Sequence, residues 1–586
     1  MKFHWSGLAF NKARPFLLVC LVGILLYGHT LHAPFYLDDS GAIYDSGIVK
    51  DLGRAVSGIF TMRGLSTLTF AINYQLDELN VVGYHLVNIA IHLGTSCLVL
   101  LLLRRIFPLQ PRLQLFGALL FVAHPIQTQA VTYLVQRMTS LSALLFLLAL
   151  FLFARAREAL DSGAEFRDRR HLFFYVAALL SGGLAVLAKE NAVVLPVALF
   201  LFGYFFLPAR KGGWRARALY ISPFLIVPAI AIGVYLLVPI FTAPKFDTMG
   251  HSRFLRSMEG NSPLHYLATQ CSVLWIYIRM LFLPYGQALD HAYPVSRELL
   301  TVKSVTGFFG LSGLFALVWH LRCRQPIIAF AILWFFLTLA VESSIIPLDP
   351  LFEHRLYLPM FGMAALVPAL FNLMPRPQWQ LGVGIVVILV LAVLTWRRND
   401  LWNDPLAFYA DNLRISPENE RVYFNLGQEC LKVGIVDEGE RLVRESIALN
   451  PSRYFGYISL KELYVAQDRL DEAIAMLHYG LDHVSPGDKG RLYNELAFIH
   501  GKRGDFSAAI EMLQRSIDAD PKIAASYYNL AQMLMFAGEK ELIELNLRKT
   551  LEIEPDHADA RGMLENMMFR ANAPPEVVPP AGEVGH

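Results

Sequence analysis

Two adjacent carboxylates, Asp38 and Asp39, stand just past an apolar run in "LLYGHTLHAPFYLDDSGAI". A carboxylate there can take a proton from an acceptor hydroxyl or hold a divalent cation. The plain alternative for a lone Asp is a solvated helix cap, and two in succession directly after a span favour chemistry. Other polar residues recur at similar places. "GYHLVNIAIHLG" sets His85, Asn88 and His92 at i, i+3 and i+7, one stripe of a helix. That stripe reads equally well as the wall of a polar cavity or as hydrogen bonds to neighbouring helices. "VAHPIQTQAVTYLVQRMTS" carries His124, Gln127, Gln129, Gln136 and Arg137, and Pro125 should break the helix there and leave a short external turn. "LAKENAVVLP" places Lys189 and Glu190 between two apolar runs. "LDPLFEHRLYLPMFG" puts Glu353, His354 and Arg355 at the mouth of another. Arg offers a planar fork suited to phosphate oxygens, with Glu353 or a lipid headgroup as the alternative partner.

The elements that must hold these residues are membrane helices. The chain has 586 residues, 55% of them hydrophobic and 17% charged, with a mean hydropathy of +0.42. Apolar runs near the roughly 20 residues that a bilayer requires fall at about 15–32, 84–103, 113–130, 132–154, 172–188, 191–208, 219–241, 304–321, 326–345, 356–374 and 380–397. The first lacks a small-x-small cleavage site and reads as an uncleaved anchor. Lys12/Arg14, Arg104/Arg105, the Arg155–Arg170 stretch, Arg210–Arg217, Arg322/Arg324 and Arg376 mark alternate ends as cytoplasmic. The polar residues above then gather at the outer ends. A further apolar segment at 264–284 would invert everything downstream if it crossed, so it is expected to lie on the outer face.

From about residue 400 the runs give way to amphipathic patterns. Pro417, Pro451, Pro486, Pro521 and Pro555 recur 34 or 35 residues apart. Each period carries an aromatic, then Leu, then a small or polar residue, as in "YFNLGQECLKVG" and "YNELAFIHGKRGDFSAAI". This is the punctuation of tetratricopeptide repeats, whose concave face takes protein segments or whose stacking serves dimerisation. The expected architecture is all-α: a polytopic membrane domain of about eleven spans over 1–400, with a first external loop at about 33–83, a repeat solenoid over 401–570, and a Pro-rich disordered tail at 571–586. A net charge of +2 without basic blocks argues against nucleic acid. The five cysteines are scattered, with no CxxC or Cys/His cluster to make a metal site or disulfide framework. No P-loop or Rossmann fingerprint is present.

The motifs "FYLDDSGAI", "LSTLTFAINYQLDELNVVGYHLVNIAIHLG", "HPIQTQAVTYLVQR", "AKENAVVLP" and "EHRLYLP", in that order and followed by repeats, resemble integral-membrane glycosyltransferases of the GT-C class. The closest resemblance is to the transmembrane and tetratricopeptide-repeat-containing O-mannosyltransferases and their bacterial relatives. It implies a polyprenyl-phosphate-linked sugar as donor and an exported protein hydroxyl as acceptor, with inversion at the anomeric centre. By that resemblance Asp38 is the general base and Asp39 positions donor or acceptor. Arg355, with Glu353 and His354, binds the donor phosphate; His85, Asn88, His92, His124, Gln127, Arg137, Lys189 and Glu190 line the pocket. No cofactor is implied apart from a divalent cation that the acids could hold, and no dedicated metal site is expected. The segment "FTAPKFDTMGHSRFLRSMEGNSPL" and "DHAYPV" match the animal members only faintly. The compact loops suggest undecaprenyl phosphate and a bacterial inner membrane, with the active site and repeats on the periplasmic side. The rival readings are a glycan ligase or polymerase acting on lipid-linked glycans, and a non-catalytic membrane scaffold.

Overall fold

The computed structural model describes residues 5–162, 165, 167–208, 213–236, 262–374, 376–537 and 539–572. Nearly all of the tail expected at 571–586 lies outside these residues, as does most of the segment "FTAPKFDTMGHSRFLRSMEGNSPL". The described chain is all-α, with no strand, and forms two compact units, Met1–Pro417 and Glu418–His586.

Seven helices of the first unit are long and apolar enough to cross a membrane: Ala13–Thr30, Val81–Ile106, Leu134–Asp161, Arg169–Ala188, Gly213–Gly233, Val302–Leu321 and Gln378–Leu401. With the composition, they make the chain a membrane protein. Four other expected spans are shorter apolar helices, Pro111–Ala123, Glu190–Phe206, Pro326–Leu339 and Met360–Phe371. Each of these four is flanked by irregular backbone at the end where the sequence gathers its polar residues. The first gives way to His124 and the 3-10 turn Pro125–Gln127, and the second starts as a 3-10 turn at Glu190–Val194. The third stops before Glu342, and the fourth follows the 3-10 turn Glu353–Leu356. The helix Pro263–Phe282, expected to lie on the outer face, is not among the candidate spans.

One expectation needs correcting. Residues 124–136 are not an exposed external turn: two 3-10 turns and a short helix run through the interior, and every residue from Phe121 to Ser140 is buried. Non-helical backbone at such depth survives only where protein or a cavity satisfies its polar groups. The stretch expected as the first external loop, about 33–83, carries its own short elements. It contains the helices Gly47–Lys50, Leu52–Ser57 and Gly64–Asp77.

Lipid offers helices little hydrophobic drive to associate, so close approach depends on small residues. A Cβ at Gly117 would stand 2.3 Å from the Ala364 carbonyl, so this glycine lets Pro111–Ala123 lie against Met360–Phe371. In the second unit the helices pair as Glu420–Lys432 with Val436–Leu449, Phe455–Ala466 with Leu470–His483, Lys489–Lys502 with Phe506–Ala519, and Ala524–Ala537 with Lys540–Ile553. The turns inside the first three pairs need a left-handed residue. Gly434 and Gly504 supply it at φ 83° and 80°, and Asp468 takes the same role at 60°.

Candidate functional site

The aspartate pair follows a strained residue. Leu37 has φ 35°, a conformation that costs a bulky side chain about 1–3 kcal/mol and collects at functional sites. The chain then turns into a π-helical segment, Ser40–Tyr44. Asp39 is fully buried. Its Oδ2 accepts from the Tyr36 N–H at 2.9 Å and its Oδ1 from the Val135 N–H at 2.7 Å, which ties the first loop to the buried 124–136 segment. Burial pushes the Asp39 carboxyl up to about 8; the two backbone N–H groups and Arg137 oppose that shift and Asp38 adds to it. Asp38 is only half-buried, and its backbone N–H donates to the Tyr133 hydroxyl at 2.8 Å. The pair is thus divided into a fully buried clip, Asp39, and a half-buried neighbour, Asp38.

The stripe of His85, Asn88 and His92 is buried and turned to protein partners. His85 Nε2 meets the Ala33 carbonyl at 2.9 Å, and Asn88 Nδ2 donates to the Val131 carbonyl at 3.0 Å. His92 Nδ1 meets the Tyr357 hydroxyl at 2.8 Å. Arg137 is buried in a cage of neutral acceptors. It donates to Asn88 Oδ1 at 2.7 Å, Asn73 Oδ1 at 2.6 Å, and the Thr69 and Tyr84 carbonyls at 3.1 and 2.9 Å. Its guanidinium also lies 4.5 Å from the centre of the Phe70 ring. This cage locks the first loop against Val81–Ile106 and Leu134–Asp161. His124 Nδ1 caps the next turn by accepting from Ile126 N–H at 3.2 Å, and Gln127 Nε2 donates to the Phe121 carbonyl at 3.4 Å.

Gln129 joins three segments. Its Nε2 donates to the Leu289 carbonyl at 2.8 Å, and its Oε1 accepts from the His354 N–H at 2.6 Å. Glu353 is buried and fully engaged: it accepts from Gln287 Nε2 at 2.9 Å and the Ala288 N–H at 2.6 Å, and pairs with His291 Nε2 at 3.0 Å. Of the trio, Glu353 and His354 therefore hold the backbone of the motif, and Arg355 carries its charge into a different cluster.

That cluster joins Lys189, Glu190, Arg63, Glu342 and Arg355. Lys189 Nζ lies 2.8 Å from Glu342 Oε1 and 3.1 Å from Thr139 Oγ1, with both charged side chains buried. Glu190 forms a two-pronged pair with Arg63, at 2.7 and 3.2 Å. Arg63 itself is left-handed at φ 60°. Arg355 donates to the Pro350 carbonyl at 3.2 Å. Burial works against its charge, but Tyr277, Tyr266 and Glu342 outweigh it and raise its pKa. His354 feels all three cations: burial first, then the fields of Lys189, Arg355 and Arg63, push its pKa well below the ordinary value, so the ring is neutral. Two buried atoms lack hydrogen-bond partners, Glu342 Oε2 and Arg355 Nε. A site of this kind suits an anion.

Arg63 and Glu342 escaped the reading of the sequence. The signal for both was available: an arginine in the outer loop against the charge bias of membrane proteins, and a lone acid at the end of an apolar run. Among the described residues, no group of three or more His, Cys, Asp or Glu side chains is arranged to hold a metal ion.

Residues 490–523 match the tetratricopeptide repeat model. The chain is similar to a protein O-mannosyl-transferase of Caenorhabditis elegans, 25% identical over 75% of this chain and 63% of that one. It is also similar to protein O-mannosyl-transferase TMTC3 of Mus musculus, 23% identical over 92% of this chain and 64% of that one. The chain thus spans somewhat under two thirds of the length of these curated relatives. Among solved structures it is similar to a thermophilic TPR protein of Thermus thermophilus, at 19% identity and a TM-score of 0.24, covering 32% of this chain and 96% of that one.

Proposed function

We propose that the protein is a membrane glycosyltransferase that moves a sugar from a polyprenyl-phosphate donor to hydroxyl groups of an exported protein. The carrying observation is the gathering of Arg355, Lys189 and Arg63 around neutral His354, beside irregular helix ends. The names of the relatives, protein O-mannosyl-transferase, support this class of reaction and make mannose the first sugar to test.

In this reading Asp38 is the general base and Asp39 positions donor or acceptor. The acceptor O–H gives its proton to the Asp38 carboxylate as the oxygen attacks the anomeric carbon. The bond from that carbon to the phosphate oxygen breaks, polyprenyl phosphate leaves, and the configuration inverts. Arg355 offsets the charge that develops on the leaving phosphate. Gln129, Glu353 and His354 fix the backbone from which Arg355 reaches. Residues 1–400 would form the catalytic domain, and the repeats over 401–570 would bind the acceptor. The donor lipid would be of the undecaprenyl type, with the site on the periplasmic side of a bacterial inner membrane.

Intact-mass profiling of envelope proteins tests this, comparing wild type with a chromosomal Asp38→Asn variant of verified membrane level. Loss of hexose-sized increments from one or a few proteins is the expected result. Unchanged masses would remove Asp38 as the base and favour a ligase or scaffold.

A further inference from the structure

The charges in the anion cluster can be counted. Arg63 is matched by Glu190 at 2.7 Å and Lys189 by Glu342 at 2.8 Å. Among the described residues Arg355 has no carboxylate within ion-pair distance; its guanidinium donates to the Pro350 carbonyl, and tyrosine hydroxyls and the Glu342 field stabilise it. Glu342 and Arg355 are each more than nine-tenths buried, and each keeps one polar atom without a partner. Counted over Arg63, Glu190, Lys189, Glu342 and Arg355 alone, the described buried cluster carries one uncompensated positive charge, with Asp349 exposed outside it near Tyr266; in a region largely closed to water an unmatched charge is costly.

Resting on the phosphate-binding reading above, we infer that Glu342 is the specificity-determining residue of this site. By cancelling Lys189 it leaves a single positive charge, so the site accepts a phosphate diester, with one negative charge, and disfavours a diphosphate, with two. The residue does not touch the reacting carbon; it sets the charge the pocket offers. Replacing Glu342 by Gln keeps the shape and a hydrogen-bond acceptor for Lys189 but frees its charge. The cluster then offers two positive charges, which suits a diphosphate.

The test uses the full chain in lipid nanodiscs and two probes, a polyprenyl-monophosphate hexose and the matching polyprenyl-diphosphate hexose. Wild type should bind the monophosphate at least about tenfold more tightly, and Glu342→Gln should shift that ratio towards the diphosphate by about tenfold or more. Glu342→Asp, which keeps the charge, should keep the wild-type preference. The double variant Lys189→Met with Glu342→Gln restores the net charge and should also retain it; this arm stands even if Glu342→Gln alone melts below the assay temperature. Binding of both lipids with a ratio indifferent to Glu342→Gln, or a double variant that shifts like the single one, would overturn the inference and leave the proposed reaction standing. Binding of neither lipid by wild type would overturn that reaction and the inference together.

Discussion

A carboxyl group held at about 8, as Asp39 is by burial, is mostly protonated at neutral pH, whereas in the unfolded chain it ionises near about 3.9. Between those values the native state binds the extra proton. The stability this group contributes is therefore full below about pH 4 and is lost as pH rises through about 8. Thermal unfolding of the detergent-solubilised protein across that range should show wild type losing stability with rising pH relative to Asp39→Asn, which cannot titrate. A pH-independent difference between the two would mean Asp39 is ionised in the fold. Asp39→Asn should also cost about 1–3 kcal/mol, because an amide leaves one of the two buried N–H groups, Tyr36 or Val135, facing another N–H. Asp38→Asn, at the half-buried member of the pair, should cost less stability than Asp39→Asn while losing at least about a hundredfold in transfer rate, the usual range for a general base. A large drop in melting temperature for Asp38→Asn would count against this division of labour. The pair itself was legible in the sequence. Its division was not, because that depends on Val135, which the chain brings to Asp39 from 96 positions away.

The same limit holds for whole elements. Apolar runs showed where helices lie, but whether a run stays helical to its end depends on what packs beside it. The buried course of 124–136 is held by Asp39, Asn88 and Gln129, each reaching it or leaving it from a different part of the sequence. Arg137 illustrates the consequence: a charged residue at membrane depth invites a functional reading, yet its donors are spent on Asn88, Asn73, Thr69 and Tyr84. Arg137→Lys keeps the charge and loses the fork, so it should reduce the folded fraction at fixed expression without changing the apparent affinity for donor in the protein that folds. A selective rise in donor KM would return Arg137 to the binding site. Helix contact makes a second prediction. Gly117→Val drives a side chain into the Ala364 carbonyl and should cost about 1–3 kcal/mol of thermal stability, whereas Gly382→Ala meets nothing within 4 Å and should be neutral. Equal melting of the two variants would show that Pro111–Ala123 and Met360–Phe371 separate more easily than their backbone contact implies.

Across the membrane unit, ion pairs constrain the topology as firmly as composition does. Lys189 ends one apolar helix and Glu342 follows another, and the two side chains are 2.8 Å apart. Groups that close lie on one side of the membrane, so the chain between them must cross an even number of times. Among the described residues, the candidate spans Gly213–Gly233 and Val302–Leu321, together with the shorter apolar helices Glu190–Phe206 and Pro326–Leu339 if these cross too, supply four crossings. A crossing by Pro263–Phe282 would make five and pull the pair to opposite sides, which argues that this helix stays on the face it starts from. The charge bias of the loops gives the same answer independently, since Arg322 and Arg324 then fall on the side of Arg104 and Arg105. Leu300 and Leu109, both strongly exposed at 84% and 97%, report the two sides. In a background with Cys323, the one exposed native cysteine among the described residues, changed to Ser, a membrane-impermeant maleimide added to intact cells should label Leu300→Cys without permeabilisation. It should reach Leu109→Cys only after permeabilisation. Protection of Leu300→Cys would mean that Pro263–Phe282 crosses after all, and the contact of Lys189 with Glu342 could not then exist in the membrane.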